Sequence, residues 1–165
     1  MTSFVYASPL GGLLMESDGT SLTALRFLSG DCVARDITAP PELPVFALTA
    51  RWLDEYFRGG IPAFTPPLKL TGSPFRMAVW DIVARIPYGR TVTYGEIARE
   101  IAHRRGLGRM SAQAVGGAVG GNPIPIIVPC HRVVGFDGRL TGYAGGLVRK
   151  KKLLDLESGK IVLLE

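Results

Sequence analysis

Only two cysteines, Cys32 and Cys130, and two histidines occur in this chain of 165 residues. So few soft ligands exclude a disulfide framework and a Cys/His zinc cluster, and a reducing compartment, the cytoplasm, is expected. Long hydrophobic runs are also lacking. The longest, Ile124 to Val128 between prolines, is far too short to span a bilayer. The first dozen residues have neither a basic start nor an apolar stretch, so no signal peptide is expected. With 47% apolar and 20% charged residues, the composition is that of a globular chain able to bury a core unaided. Membrane proteins and disulfide-stapled scaffolds are therefore set aside.

Charge is unevenly spread. Residues 1–68 carry four Lys/Arg against seven Asp/Glu, a net −3, whereas residues 69–165 carry fifteen against seven, a net +8. A basic half joined to an acidic one points to a polyanion docking on the second.

Short apolar runs at Phe4 to Ala7, Leu13 to Glu16 and Leu22 to Leu28 are separated by turn signals at Pro9 to Gly12 and Asp18-Gly19, the pattern of an antiparallel meander. Val45 to Phe57 has helical periodicity and stops at Gly59-Gly60. Prolines at 62, 66 and 67 mark the expected lobe boundary. Beyond it, Ser73-Pro74 reads as an N-cap with proline at the first helical position, opening an apolar stripe of Phe75, Val79, Ile82, Val83 and Ile86. A second helix is expected over Tyr94 to Ala102, capped by Thr93, followed by a basic connection at 103–110. Ser111 to Gly120 begins like a capped helix yet holds three glycines, each costing about 1 kcal/mol relative to alanine. Two such helices and a short turn suggest a helix-turn-helix. The glycines would serve either close helix packing or close approach of the backbone to a partner. Ile124 to Pro129 is expected to be a buried extended segment leading to Cys130. Val133 to Leu140 is expected as a hairpin about Asp137-Gly138, Leu147 to Glu157 as the last helix, and the tail from Ser158 as a strand. The expected fold class is α/β (α+β). An N-terminal lobe over 1–68 has a small antiparallel sheet and a helix; a mostly helical C-terminal lobe over 69–165 has a helix-turn-helix and a short active-site strand.

The chemistry centres on Cys130. A thiol in apolar surroundings is inert unless its thiolate is stabilised, and His131 is a candidate to do so. Neighbours on a strand face opposite ways, so a bridging water is expected between them. Glu157 lies four residues past Leu153 and three past Leu154, on an apolar stripe and away from the Lys150-Lys151-Lys152 side, which reads as an exposed face. A carboxylate there needs a partner, and a histidine would be oriented by it. Arg132 is expected to form a structural ion pair, and Cys32 to be a bystander.

The run Gly121-Asn122-Pro123-Ile124-Pro125-Ile126-Ile127-Val128-Pro129-Cys130-His131-Arg132-Val133 resembles the active-site signature of the O6-alkylguanine-DNA alkyltransferases (methylated-DNA–protein-cysteine methyltransferases). Ala114 to Ala118 upstream and Leu140 to Gly146 downstream extend the likeness, which covers 72–157 and, more weakly, the N-terminal lobe. The resemblance implies that Cys130 accepts the alkyl group, that His131 deprotonates it through a water, and that Glu157 holds the histidine. It implies that Asn122 supports the turn, and that Tyr94 contacts the phosphate 3′ to the lesion and gives a proton to the guanine. Tyr143, Ala144, Gly145 and Gly146 would wall the base pocket, with backbone groups near Val133 and Cys130 reading the guanine edge. Ser111, Ala112, Gln113, Ala114 and Gly116 would meet double-stranded DNA through the minor groove. The implied protein is a monomer needing no cofactor and no metal, acting once on O6-alkylguanine, with O4-alkylthymine a second candidate substrate. It departs from the family at Gln113, seventeen residues before Cys130, where an arginine usually fills the space of the flipped base. His103, Arg104, Arg105 and Arg109 are either added phosphate contacts or a solvated loop. Two alternatives stay open, a lesion sensor and a helix-turn-helix regulator, neither performing transfer. A cysteine hydrolase would need an oxyanion hole and a turnover path, and no nucleophile-elbow signal accompanies Cys130.

Overall fold

In a computed structural model, residues 2–29 and 43–164 are described; Cys32 lies outside them. The chain divides into two compact units, residues 1–70 with 159–165, and Thr71–Ser158.

In the first unit, strands β1 (Thr2–Ser8), β2 (Gly11–Ser17) and β3 (Leu22–Phe27) form an antiparallel meander in the order β1-β2-β3. Gly11, at φ 115°, makes the first turn possible. Helix α1 (Pro44–Phe57) lays Phe46, Trp52, Leu53, Tyr56 and Phe57 toward a core shared with Leu13, Met15, Leu22 and Leu25 of the sheet. Between them these side chains remove the apolar face of each element from water, which is what holds so small a sheet together. The tail after Ser158 has no strand among the described residues, in contrast to expectation.

The second unit is built on capped helices. In α2 (Pro74–Ala84) the Ser73 hydroxyl accepts from Arg76 N at 3.2 Å, with proline at the first position. Val79, Ile82, Val83 and Ile86 are buried as their spacing requires, and Arg105 stacks over the partly covered Phe75 ring at 5.5 Å. Helix α3 (Tyr94–Arg104) has a reciprocal capping box between Thr93 and Glu96. Helix α4 (Ala112–Gly120) is capped by Ser111, whose hydroxyl accepts from Ala114 N at 3.2 Å. Trp80 donates its indole N–H to Ala118 O at 2.8 Å, tying the glycine-rich helix to α2. Helix α5 (Leu147–Glu157) starts at Gly146, φ 90°.

Two expectations about the middle of this unit are corrected. Residues 124–129 are not extended. Pro123, Pro125 and Pro129 have no N–H to give a ladder, and the segment closes on itself through Val128 N to Ile124 O at 3.0 Å. Buried Ile126 is held at φ 75°, a strained conformation for a β-branched residue. The expected hairpin is also absent as a ladder. Instead β5 (Val133–Val134) runs parallel to β4 (Val92–Thr93), pairing Val92 with Val133 and Thr93 with Val134. This two-residue pairing fixes the start of α3 beside the segment that carries Cys130.

Candidate active site

Cys130 sits on a turn. Pro129, at φ −80° and ψ 67°, is the centre of an inverse γ-turn in which Cys130 N donates to Val128 O at 2.8 Å. A single 3-10 turn, Cys130–Arg132, follows, closed by Arg132 N to Pro129 O at 2.9 Å. The strand geometry expected at Cys130 is thus replaced by a turn. All three residues of the turn are buried.

Four donors converge on the carboxylate of Glu157, whose side chain is only 1% exposed. His131 Nε2 lies 2.5 Å from Oε2, Arg132 Nε 2.8 Å from Oε1, the second Arg132 nitrogen 3.2 Å from Oε2, and Gly89 N 3.1 Å from Oε1. Arg132 also donates to Ile86 O at 2.7 Å and lies over the Tyr88 ring. Burial pushes the Glu157 carboxyl up, but the hydrogen bond and charge of His131, then those of Arg132, outweigh it and hold it at about 2. Glu157 is therefore an anion whose permanent counter-charge is the Arg132 guanidinium. His131 is pushed down, first by burial and then by the charges of Arg132 and Lys150, against the pull of Glu157. The imidazole is therefore held in its neutral form, in the tautomer that the Glu157 contact requires: Nε2–H donates to the carboxylate and Nδ1 is the basic nitrogen. The ion pair expected of Arg132 is made, and it is with Glu157.

The thiol is pushed up by burial, opposed by a hydrogen bond from the Asn122 side chain, by the charge of Lys150 and by backbone N–H groups of the turn. Asn122 is well placed for this because its amide N donates to Val128 O at 2.8 Å while its Oδ1 accepts from Ile124 N at 3.0 Å. The side chain thus fastens the proline-rich turn and serves the sulfur at once.

Lys150 corrects the reading of the lysine run. Lys151 and Lys152 are exposed, but Lys150 is fully buried and donates to Val133 O at 2.6 Å, Thr141 O at 2.9 Å and Gly142 O at 3.3 Å. Its acceptors are carbonyl dipoles and not a carboxylate, so its charge is available to an anion forming at Cys130. Of the backbone groups near Val133 expected at the guanine edge, the Val133 carbonyl accepts from this ammonium. Sequence reasoning missed Lys150, although the spacing 150, 153, 157 puts it on the face of Leu153 and Glu157.

Tyr94 donates its hydroxyl to Thr141 O at 2.9 Å, and burial pushes that hydroxyl up. Tyr143 and Ala144, with Gly142, Asn122 and Cys130, line a cavity of about 10 Å³, room for no more than a water. The Tyr143 hydroxyl is enclosed there without a hydrogen-bond partner. Gly145 O accepts from Arg149 at 3.2 Å, and Gly146 caps α5. Next to the cavity is a cleft of about 790 Å³, lined by Tyr94, Ala112, Gln113, Gly116, Phe136 and Thr141 among others. Ser111 and Ala114 are exposed but stand outside this lining. In the basic connection, Arg104 pairs with Asp81 and Glu100 and Arg105 covers Phe75, whereas His103 and Arg109 line a neighbouring groove with Arg99. A Cβ built on Gly117 or Gly120 would meet nothing within 4 Å, and one on Gly116 only the Tyr94 ring at an ordinary 3.9 Å. Packing inside the protein therefore does not demand these glycines.

No helix among the described residues is long and apolar enough to cross a membrane. Residues 74–159 match the DNA binding domain of 6-O-methylguanine DNA methyltransferase, and residues 1–70 match the ribonuclease-like domain of the same proteins. A methylated-DNA–protein-cysteine methyltransferase of Haemophilus influenzae is 42% identical, over 92% of this chain and 83% of that protein. The Mycobacterium tuberculosis OGT, solved in complex with DNA, superposes with a TM-score of 0.80 at 42% identity, covering 96% of this chain and 93% of that one. An O6-methylguanine DNA methyltransferase of Methanococcus jannaschii gives 0.67 at 28% identity, over 99% and 97%. With both halves matched and the buried Cys130-His131-Arg132 turn in place, the chain belongs to the methylated-DNA–protein-cysteine methyltransferase family.

Proposed function

We propose that this protein repairs DNA by moving the alkyl group of O6-alkylguanine onto the sulfur of Cys130, once per molecule. The observation that carries the reading is the sulfur's surroundings: a buried thiol beside a histidine locked to a carboxylate, with an amide and a buried ammonium facing it. Such a set is suited to making a thiolate at the moment of reaction and keeping it from bulk water.

In the proposed reaction His131 Nδ1 takes the Cys130 proton, directly or through one water, and Glu157 stabilises the imidazolium. The thiolate attacks the alkyl carbon; the S–C bond forms as the C–O bond breaks, and the electron pair goes to the purine. Tyr94 supplies a proton to the base, so the purine leaves as guanine. Lys150 offsets the thiolate charge. A thioether has no easy route back, so turnover ends there. An alkyl group on O6 is shielded in the duplex, and flipping the nucleotide out costs a few kcal/mol. The bare outer face of α4 supports a minor-groove approach, where side chains would keep the backbone away from the sugar edges. Gln113, exposed on the first turn of α4, is the residue proposed to enter the vacated stack. The cavity at Cys130 is too small for a purine, so the segment Thr141–Ala144 has to withdraw. Its anchors are the Tyr94 hydroxyl and the Lys150 ammonium, and engagement of Tyr94 by a phosphate would release the first of these.

Repair is tested by titrating a duplex that carries O6-methylguanine with the protein. Lesion should be lost in a 1:1 ratio to protein and then stop. Continued loss beyond that ratio would mean a turnover enzyme, and binding without loss would mean a sensor.

A further inference from the structure

Phe136 is 88% exposed, the most exposed large apolar side chain among the described residues. It is held on a tight turn. Gly135 N donates to Arg139 O at 2.7 Å and Gly138 N to Gly135 O at 3.0 Å, with Asp137 at φ 60° and Gly138 at φ 85°. Asp137 tolerates that conformation where bulkier residues do not, and it pairs with Arg139 at 3.3 Å. The turn follows directly on β5, so it rides on the same two-strand pairing that places Cys130 and the start of α3. Its ring lines the cleft that also holds Gln113 and Tyr94.

An aromatic ring kept in water on a braced turn calls for a partner that covers it. We propose that Phe136 is an unstacking wedge: in the complex its ring stacks on a nucleobase at the step that the damaged nucleotide leaves. This rests on the reading of the protein as a DNA alkyltransferase acting on a flipped nucleotide. The chemistry favours a base over other occupants. Every base has a face that an aromatic side chain can stack on whatever the sequence, and apolar wedges are a common means of parting steps from the minor groove. Gln113, on the same cleft, has an amide that can hydrogen-bond a base edge but no ring to replace lost stacking. The two side chains thus divide the work: Gln113 offers donors and acceptors, and Phe136 offers the face.

The test compares single-turnover transfer from a duplex bearing O6-methylguanine with reaction of the free base O6-benzylguanine, which needs no flipping. Phe136→Ala and Phe136→Trp are measured beside the unsubstituted protein. Stacking of one base on an aromatic side chain corresponds to roughly a five- to hundredfold effect. The duplex-to-free-base rate ratio should therefore fall at least about fivefold in Phe136→Ala and stay within about twofold in Phe136→Trp. An unchanged ratio in Phe136→Ala, whether both rates hold or both fall together, overturns the wedge while leaving alkyl transfer intact. An unsubstituted protein that consumes the free base but transfers nothing from duplex overturns the underlying substrate reading, and the wedge with it. Because the ring is in water, its truncation removes no core packing, and the free-base rate reports that each variant is folded.

Discussion

Replacing Glu157 by glutamine should lower stability by about 3 kcal/mol or more and slow transfer by roughly a hundredfold or more. The carboxylate accepts from four donors, and an amide of the same shape turns one acceptor into an N–H that faces them. Arg132 would then be a buried cation without its counter-charge, which is the costly way to break a buried pair. In a protein of this size such a loss corresponds to a fall in Tm of about 10 °C. The rate falls for a separate reason: His131 loses the group that orients it and stabilises its charged form. The two effects part company with pH. Since the Glu157 carboxyl is held at about 2 in the fold against an ordinary 4.5, its stabilisation is fully present above 4.5 and is lost as pH falls toward 2. The variant should lack that part of the acid sensitivity. Thermal melts from pH 2 to 7, with single-turnover rates at neutral pH, check both. A melting temperature within about 2 °C of the unsubstituted protein would show that the network is not what holds the turn in place.

Lys150→Met should cut the transfer rate at neutral pH at least tenfold and move the rise of rate with pH upward. Methionine fills the same space but takes the ammonium donor from the carbonyls of Val133 and Gly142, each costing about 1–3 kcal/mol if it stays dry, whereas Thr141 O keeps the Tyr94 hydroxyl. The charge of Lys150 also favours the Cys130 thiolate, so removing it adds to the upward push of burial on that thiol. Rates measured from pH 6 to 9 separate the parts. A uniform loss at every pH would assign Lys150 to holding the Thr141–Gly142 segment alone; a shifted profile assigns it to the sulfur as well. An unchanged rate and profile would remove Lys150 from the account.

Much of this was legible because its causes are local. Ser73, Thr93 and Ser111 each cap a helix through their own backbone neighbours, and such signals survive without knowledge of the rest of the chain. Glu157 was legible for a related reason: a carboxylate on an apolar helical face has to find a partner. Lys150 obeyed the same rule and was passed over because two identical neighbours made the run look like a solvated face. The proline-rich approach to Cys130 was read as a strand on its apolar content, although three missing N–H groups argued for a turn. Other features depend on contacts between residues far apart in sequence. The parallel pairing of Val92-Thr93 with Val133-Val134 involves two residues on each side and has no periodicity to betray it. The exposure of Phe136 follows from where that pairing directs the next turn.

The central claim is that Cys130 itself takes the alkyl group. Incubate the protein with a duplex oligonucleotide bearing O6-methylguanine, digest it, and weigh the peptide that contains Cys130 by mass spectrometry. One added methylene, localised to Cys130 and absent from Cys130→Ala protein treated alike, is the predicted result. An unmodified Cys130 in reduced protein that has bound the lesion, or a methyl group on any other residue, would contradict it.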